Sequence, residues 1–362
     1  MVSMKKVNGS IAILGSGETS PNLVSVHRKL LNKIGDNVSA SLIDTPFGFQ
    51  ENADQLVDKL IEFYDVSLNI DIKLASYRTK KDFKSVEYFE FTKIIEDSNF
   101  IFSGPGSPSY AAKNWVETDV PNIFEEKLLN GSSLVFASAA ASTLGIRTIP
   151  VYEIYKVGID PYWESGINLL QVFDINCVVV PHFNNKEGGN HDTSMSYLGE
   201  NRMKKLQQIH PTNILGVDEH TALIIDGKEN SFEVEGLGEV TVINNNGTKK
   251  FSVGDKYSLD NLIELLKIDD SEEKVKSEPN FSENENIEDT LKKEIASLRI
   301  EIDKNKKNSE NVSKLIDKLI EYRLKLRSLE KYEESDIVRD ILIESNIEIE
   351  DNKESSSWKF KD

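Results

Sequence analysis

The chain is poor in the residues that staple or anchor a protein. Cys177 is the single cysteine among 362 residues. That excludes an internal disulfide framework and the zinc modules built from several cysteines. No run of about eighteen apolar residues is present, so no helix is expected to cross a membrane. The first six residues pass at once into the strand-like Ser10–Leu14, without the long apolar core of a signal peptide. A cytoplasmic protein is the expectation. Positive charge is also scarce: 43 Lys and Arg stand against 61 Asp and Glu, a net charge of −18. That balance argues against a general nucleic-acid binder, because phosphate binding needs positive charge, although one basic face remains compatible with it.

What is present is alternation. Ser10–Leu14, Ala40–Ile43, Phe100–Phe102, Ser133–Ala137, Asn176–Val180, Ile214–Val217 and Ala222–Ile225 are short apolar runs. Several end in Gly, Pro, Asp or Ser, as buried parallel strands do. Between them lie helical patterns. Gln50–Tyr64 places Ala53, Leu56, Val57, Leu60 and Ile61 on one face. The predicted fold is α/β, a doubly wound, mostly parallel sheet flanked by helices, with its site at the carboxyl ends of the strands. This domain is expected over 1–266. Residues 267–290 are acidic and polar and read as a linker. Over 291–362 helical patterns return: Leu291, Ile295, Leu298 and Ile302; Val312, Leu315, Leu319, Leu326 and Leu329; then Ile337, Val338, Ile341 and Leu342. They predict a small helical hairpin or bundle.

Three strand ends carry chemistry. Ser133–Ala137 runs into Ser138-Ala139-Ala140-Ala141-Ser142. A serine on a sharp strand-to-helix turn exposes its hydroxyl, and the next amide can hold an oxyanion. Val178-Val179-Val180-Pro181-His182-Phe183 is a strand ending in histidine, and Gly216-Val217-Asp218-Glu219-His220-Thr221-Ala222 brings carboxylates to another strand end. A serine needs a base, and the base needs an orienting acid.

In length and order these segments resemble the cyanophycinase and aspartyl dipeptidase peptidases of the class I glutamine amidotransferase-like superfamily. Their Gly-x-Ser-Ala-Gly-Ala elbow matches Phe136 to Ala141, their His-Phe pair matches His182-Phe183, and their Gly-Ile-Asp-Glu-x-Thr-Ala segment matches Gly216 to Ala222. The resemblance implies Ser138 as nucleophile, His182 as base and Glu219 as acid, with Asp218 as fallback. It implies hydrolysis of a small or Asp-containing peptide or amide, and the related enzymes are often homodimers. The chain departs from the pattern at Phe136 and Ala140, where the family has glycine. A register shifted by one residue would put Ala139 at the nucleophile position. In Gly104-Pro105-Gly106-Ser107 the family's Gly-Gly loop supplies an oxyanion amide; Pro105 has none, which leaves Gly104 or Gly106 beside Ala139.

Other polar loops surround this site. Gly15-Ser16-Gly17-Glu18-Thr19-Ser20 lacks the third glycine of a dinucleotide loop, so no cofactor is expected, and Glu18 is placed in the pocket or at a helix cap. Asn184 to Asp192 offers Glu187, His191 and Asp192, either as pocket groups or as a solvated loop. With His182 and His220 these residues admit a metal reading, but their spacing matches no helical zinc motif, and no metal is assigned. Tyr152, Tyr155, Tyr162 and Trp163 read as pocket wall or as core aromatics.

The tail carries a second resemblance. Leu319 to Arg323, Lys331 to Leu342, Ile347 to Asp351 and Trp358 resemble the C-terminal piece of cysteinyl-tRNA synthetases, a region of anticodon recognition. The signatures of that enzyme's catalytic domain are missing. Lys314, Lys318, Arg323, Lys325, Arg327 and Lys331 are candidates for a basic face touching tRNA, or for an ordinary solvated helix face. Two functions stay open: a serine hydrolase, and a catalytically degenerate binding protein whose tail contacts tRNA or a protein partner.

Overall fold

A computed structural model describes residues 6–254 and 256–267, together with 316, 319, 320, 323, 324, 335, 336, 338, 339, 342, 347–351 and 356–360. The chain divides into two compact units, Met1–Lys274 and Val275–Asp362.

The first unit is an α/β domain. Strands β1 (Ser10–Leu14), β2 (Ala40–Ile43), β3 (Ile72–Ala75), β4 (Phe100–Ser103) and β5 (Ser133–Ala137) run parallel. All residues of β1, β2, β4 and β5 are buried. That burial is why these segments are apolar along their length rather than alternating. Helices cover both faces. On one, α1 (Val24–Ile34) and α2 (Ala53–Phe63) bury Val26, Leu30, Val57 and Leu60 against Ala12, Leu14, Val135 and Ala137. On the other, α3 (Val86–Glu96), α4 (Pro108–Trp115) and α5 (Val120–Leu129) bury Phe91, Trp115 and Phe124 against Ile11, Ile13, Leu134 and Phe136. The turn α6 (Ala139–Ser142) follows β5 after a single residue.

Beyond the elbow the topology departs from a single parallel sheet. A short ribbon pairs β6 (Arg147–Thr148) with β7 (Glu164–Ser165). Strand β8 (Val178–Val180) pairs in parallel with β9 (Ile214–Val217), and α7 (Gly199–Ile209) lies between them in sequence. Neither joins the main sheet. They form a second sheet of order β13-β12-β9-β8 with β12 (Glu239–Asn244) and β13 (Gly247–Ser252). Strand β10 (Thr221–Asp226) returns to the main sheet and pairs antiparallel with β1. The main sheet then extends through β11 (Ser231–Gly236) to β14 (Lys256–Ser258), and α8 (Leu259–Leu266) closes the unit against its core. Strand β3 escaped the sequence reading because it is an edge strand with an exposed Lys73.

In the second unit Ile316, Leu319, Ile320, Val338, Leu342 and Ile347 form one apolar cluster, with Leu324 and Trp358 packed on it. The described end of the chain is not helical: β15 (Ile347–Asp351) pairs antiparallel with β16 (Ser356–Phe360), and Ile349 faces Trp358 in the register. Arg323, expected on a basic surface, is buried. Lys314, Lys318, Lys325, Arg327 and Lys331, the linker after Lys267 and the helical pattern from Leu291 to Ile302 lie outside the described residues. Among the described residues no helix is long and apolar enough to cross a membrane.

Candidate active site

One residue separates β5 from α6, and that residue is Ser138. Its backbone sits at φ +50° and ψ −113°, a conformation L-residues rarely adopt. Such strain recurs where a nucleophile is held on a strand-to-helix turn. The Ser138 amide donates to the Leu14 carbonyl at 3.0 Å, so the pairing of β5 with β1 continues one residue past the strand. Ser138 therefore stands on the turn, and the shifted register with Ala139 in its place is not adopted.

Phe136 does not disturb this turn. The pleat sends Leu134 and Phe136 to one helical layer and Val135 and Ala137 to the other. Phe136 is fully buried, edge-on to Phe124 at 5.3 Å and to Trp115 at 6.3 Å between ring centroids. A large side chain is accommodated because it points away from the elbow. Ala140 is likewise buried, and its amide donates to the Gly104 carbonyl at 3.3 Å. That bond ties the loop after β4 to the start of α6. Gly106 in the same loop has φ +142°, and a Cβ there would fall 2.0 Å from the Pro46 carbonyl oxygen. The amides of Gly106 and Ala139 reach no backbone acceptor among the described residues.

His182 follows β8 at φ +48°. Its amide donates to the Gly15 carbonyl at 3.2 Å. Its Nε2 lies 2.9 Å from Ser138 Oγ, and its Nδ1 lies 2.9 Å from Glu219 Oε1. With the carboxylate accepting, Nδ1 carries the proton, which leaves Nε2 to accept from the serine hydroxyl. The His182 and Glu219 side chains are 17% and 26% exposed, so the line of contacts is partly shielded from water. Glu219 is held from three sides. Asn185 Nδ2 donates to the same Oε1 at 2.8 Å, and the Glu219 amide donates to Asn184 Oδ1 at 2.8 Å. The hydrogen bond from His182 holds the Glu219 carboxyl below its ordinary range; partial burial opposes this and Asn185 adds to it. Asp218 turns the other way and accepts from the Glu239 amide at 2.9 Å, with its carboxyl pushed up by burial.

A second strained element braces the histidine. Met195, Ser196 and Tyr197 are consecutive residues at φ +55°, +57° and +66°. Each costs about 1–2 kcal/mol in this left-handed conformation. The turn clamps the strand end: Met195 N–H donates to Phe183 O at 2.9 Å, Ser196 N–H to His182 O at 3.3 Å, and Ser196 Oγ to Pro181 O at 2.6 Å. The Tyr197 ring then lies 5.4 Å from the His182 ring.

The remaining sequence candidates separate. Glu18 and His220 stand near the three residues, within electrostatic range of His182 and of Glu219 respectively. The His220 amide donates to Ser16 Oγ at 3.3 Å, and its ring covers Gly17 closely. Glu187 is exposed and meets the Tyr197 phenol. His191 is exposed and stacks on Tyr155 at 6.1 Å. Asp192, expected in the pocket, instead caps α7: Oδ2 accepts from the Glu200 amide at 2.7 Å, and Oδ1 accepts from Ser194 N–H and Oγ. Among the described residues no three His, Cys, Asp or Glu side chains group as metal ligands would. The sequence reading passed over Asn184, Asn185 and Tyr197 as anchoring residues; the Asn-Asn pair directly after His182-Phe183 was the available signal.

A solved structure of a peptidase from an acI-B1 Actinobacterium is similar to this chain, with a TM-score of 0.57 and 22% identity. The match covers 71% of this chain and 100% of that one, and it establishes a shared fold. A candidate peptidase E protein from Listeria monocytogenes EGD-e matches at TM-score 0.44 and 15% identity, over 64% of this chain and 99% of that one. In sequence, a cysteine–tRNA ligase from Metallosphaera sedula is 44% identical over 52 residues, which is 14% of this chain. The match spans 11% of the length of that curated relative. No protein-family model matches the chain.

Proposed function

We propose that the first unit is a serine-type peptidase or amidohydrolase acting on a small peptide or amide. The observation that carries this reading is the unbroken line Ser138 Oγ, His182 Nε2, His182 Nδ1, Glu219 Oε1, with both gaps at 2.9 Å. Ser138 Oγ attacks the amide carbonyl carbon and its proton passes to His182 Nε2. Glu219 stabilises the imidazolium and keeps the ring in register. The oxyanion is held by the Ala139 and Gly106 amides. Collapse of the tetrahedral species returns the proton to the leaving amine and leaves an ester on Ser138. Water then attacks that ester, His182 again takes the proton, and the carboxylate product leaves with Ser138 restored. The peptidase with the shared fold supports this class of substrate. A fluorophosphonate probe tests it: wild-type protein takes the label at one site, Ser138→Ala takes none, and an unlabelled wild type rejects the reading.

A second reading concerns the tail alone. We propose that the second unit contacts tRNA, a reading favoured by the 44% identity over 52 residues to a cysteine–tRNA ligase. Filter binding of tRNA to the full chain and to a chain lacking residues 310–362 tests it. Equal binding by both chains rejects it.

A further inference from the structure

The Gly106 amide lies between two backbone ties of its loop. Gly104 O accepts the Ala140 amide at 3.3 Å, and Ser107 N–H donates to Pro46 O at 2.8 Å. A third tie leaves the loop sideways. Ser107 Oγ accepts the Tyr110 amide at 3.2 Å and lies 3.0 Å from Ser109 Oγ. Ser109 Oγ donates to Glu153 Oε1 at 2.6 Å. Each hydroxyl has one proton to give. That of Ser109 goes to the carboxylate, so Ser107 donates to Ser109. The chain of hydroxyls thus runs in one direction, from the loop to Glu153.

Glu153 belongs to a different segment, the helical turn Glu153–Val157. The turn is anchored by backbone: Ile154 N–H donates to Pro150 O at 3.1 Å, and Ile159 N–H to Glu153 O at 3.0 Å. Two residues on, the Tyr155 ring lies 5.7 Å from Tyr197, which lies 5.4 Å from His182. The turn therefore reaches the oxyanion side of the candidate site through Glu153 and the histidine side through Tyr155. The second carboxylate oxygen, Oε2, is buried and has no hydrogen-bond partner among the described residues. A carboxylate oxygen that loses water and gains no donor lowers stability. A well-packed apolar side chain of similar size would fill the same space at less cost. Glu153 is therefore kept for something other than stability, as are the strained backbones of Ser138 and His182.

We propose that Glu153 is a positioning residue: through Ser109 and Ser107 it fixes the loop that aims the Gly106 amide at the oxyanion. The use of Gly106 as a donor rests on the serine-hydrolase reading. A hydroxyl bonded to a carboxylate is held more strongly than one bonded to a neutral group. This bond ends a chain whose other end is one residue from the oxyanion donor. Without it, partly exposed Ser109 turns to water and Ser107 loses its fixed acceptor. The loop then keeps its backbone ties but not the tie that stops Ser107, and the Gly106 amide beside it, from turning.

Labelling and stability together separate this role from a structural one. Phosphonylation of Ser138 puts the P=O oxygen in the oxyanion position, so the rate of fluorophosphonate labelling reports on the loop. It is measured with urea unfolding on full-length wild type, Glu153→Met, Glu153→Gln, Ser109→Ala and the double variant Glu153→Met with Ser109→Ala. Glu153→Met, which keeps size and removes both acceptors, is expected to label about 10- to 100-fold more slowly while unfolding at the same or a higher urea concentration. Ser109→Ala slows labelling to the same extent, and the double variant is no slower than either single one, because both cut the same chain. Glu153→Gln leaves an oxygen for Ser109 and restores labelling to nearly the wild-type rate. Additive losses, an unchanged rate in Glu153→Met, or a loss of labelling matched by a loss of stability overturns the proposal. A wild type that takes no label rejects the serine chemistry, and amide exchange then decides the brace by itself. The Ser107 amide of Glu153→Met exchanges at least about tenfold faster than that of wild type if Glu153 holds the loop. Equal exchange overturns it.

Discussion

The Leu14 carbonyl accepts the amide of Ser138 at 3.0 Å. The next carbonyl, that of Gly15, accepts the amide of His182 at 3.2 Å. Two adjacent peptide groups at the end of β1 therefore set the positions of the serine and the histidine. Each partner has a positive φ, and neither is a glycine. The surroundings hold both conformations in place, as functional strain requires.

Phe136 tests how the elbow is built. Because its ring is packed between Trp115 and Phe124, Phe136→Ala should cost about 3–5 kcal/mol of stability in urea unfolding. Fluorophosphonate labelling of the folded variant should be no faster than that of wild type. Faster labelling would mean that the ring obstructs the turn.

Glu219 and Asp218 are adjacent in sequence and differ in geometry. Glu219→Gln should slow labelling by about 10²–10⁴-fold, since an amide cannot hold the imidazole in the required tautomer. Asp218→Asn should change the rate by only a few fold, because Asp218 serves the Glu239 amide. A reversed order of effects would move the acid role to Asp218.

Gly106→Ala asks for a Cβ 2.0 Å from the Pro46 carbonyl oxygen at a φ of +142°. The loop must shift, and its amide with it. Labelling should fall on the order of 10²-fold, the usual cost of losing one oxyanion donor. Circular dichroism should show the fold retained. An unchanged rate would remove Gly106 from the oxyanion site.

His27 carries a pH dependence. Burial lowers its pKa from 6.5 to about 4, with the bond to the Glu18 carbonyl opposing the shift. Between those values the unfolded chain binds a proton that the folded chain refuses, so stability falls as pH drops from 6.5 toward 4. The shift corresponds to roughly 3 kcal/mol. Urea unfolding at pH 7 and at pH 4.5 should show most of that loss. His27→Gln, which keeps a donor for Glu18 and does not titrate, should flatten the slope. The Glu219 carboxyl acts in a lower window. Its pKa is depressed, so its stabilising contribution is present above the unfolded value and is lost only as pH falls through the folded one.

Local sequence determined the strands and the elbow. Ser10–Leu14, Ala40–Ile43, Ser133–Ala137 and Ile214–Val217 are apolar because both faces of their sheets are covered, and that pattern is readable without coordinates. The order of serine, histidine and acid along the chain was readable as well, since each follows a strand. Three things were decided only in three dimensions. The sheet to which β8 and β9 belong depends on pairing between distant residues, and a continuous apolar run is the same in either sheet. The direction of Phe136 depends on the pleat, which alternates side chains between two helical layers that sequence cannot tell apart. The company kept by Ser138 depends on the end of β1, where backbone carbonyls of Leu14 and Gly15 do the holding. Carbonyls are the same in every residue, so no side-chain pattern announces them.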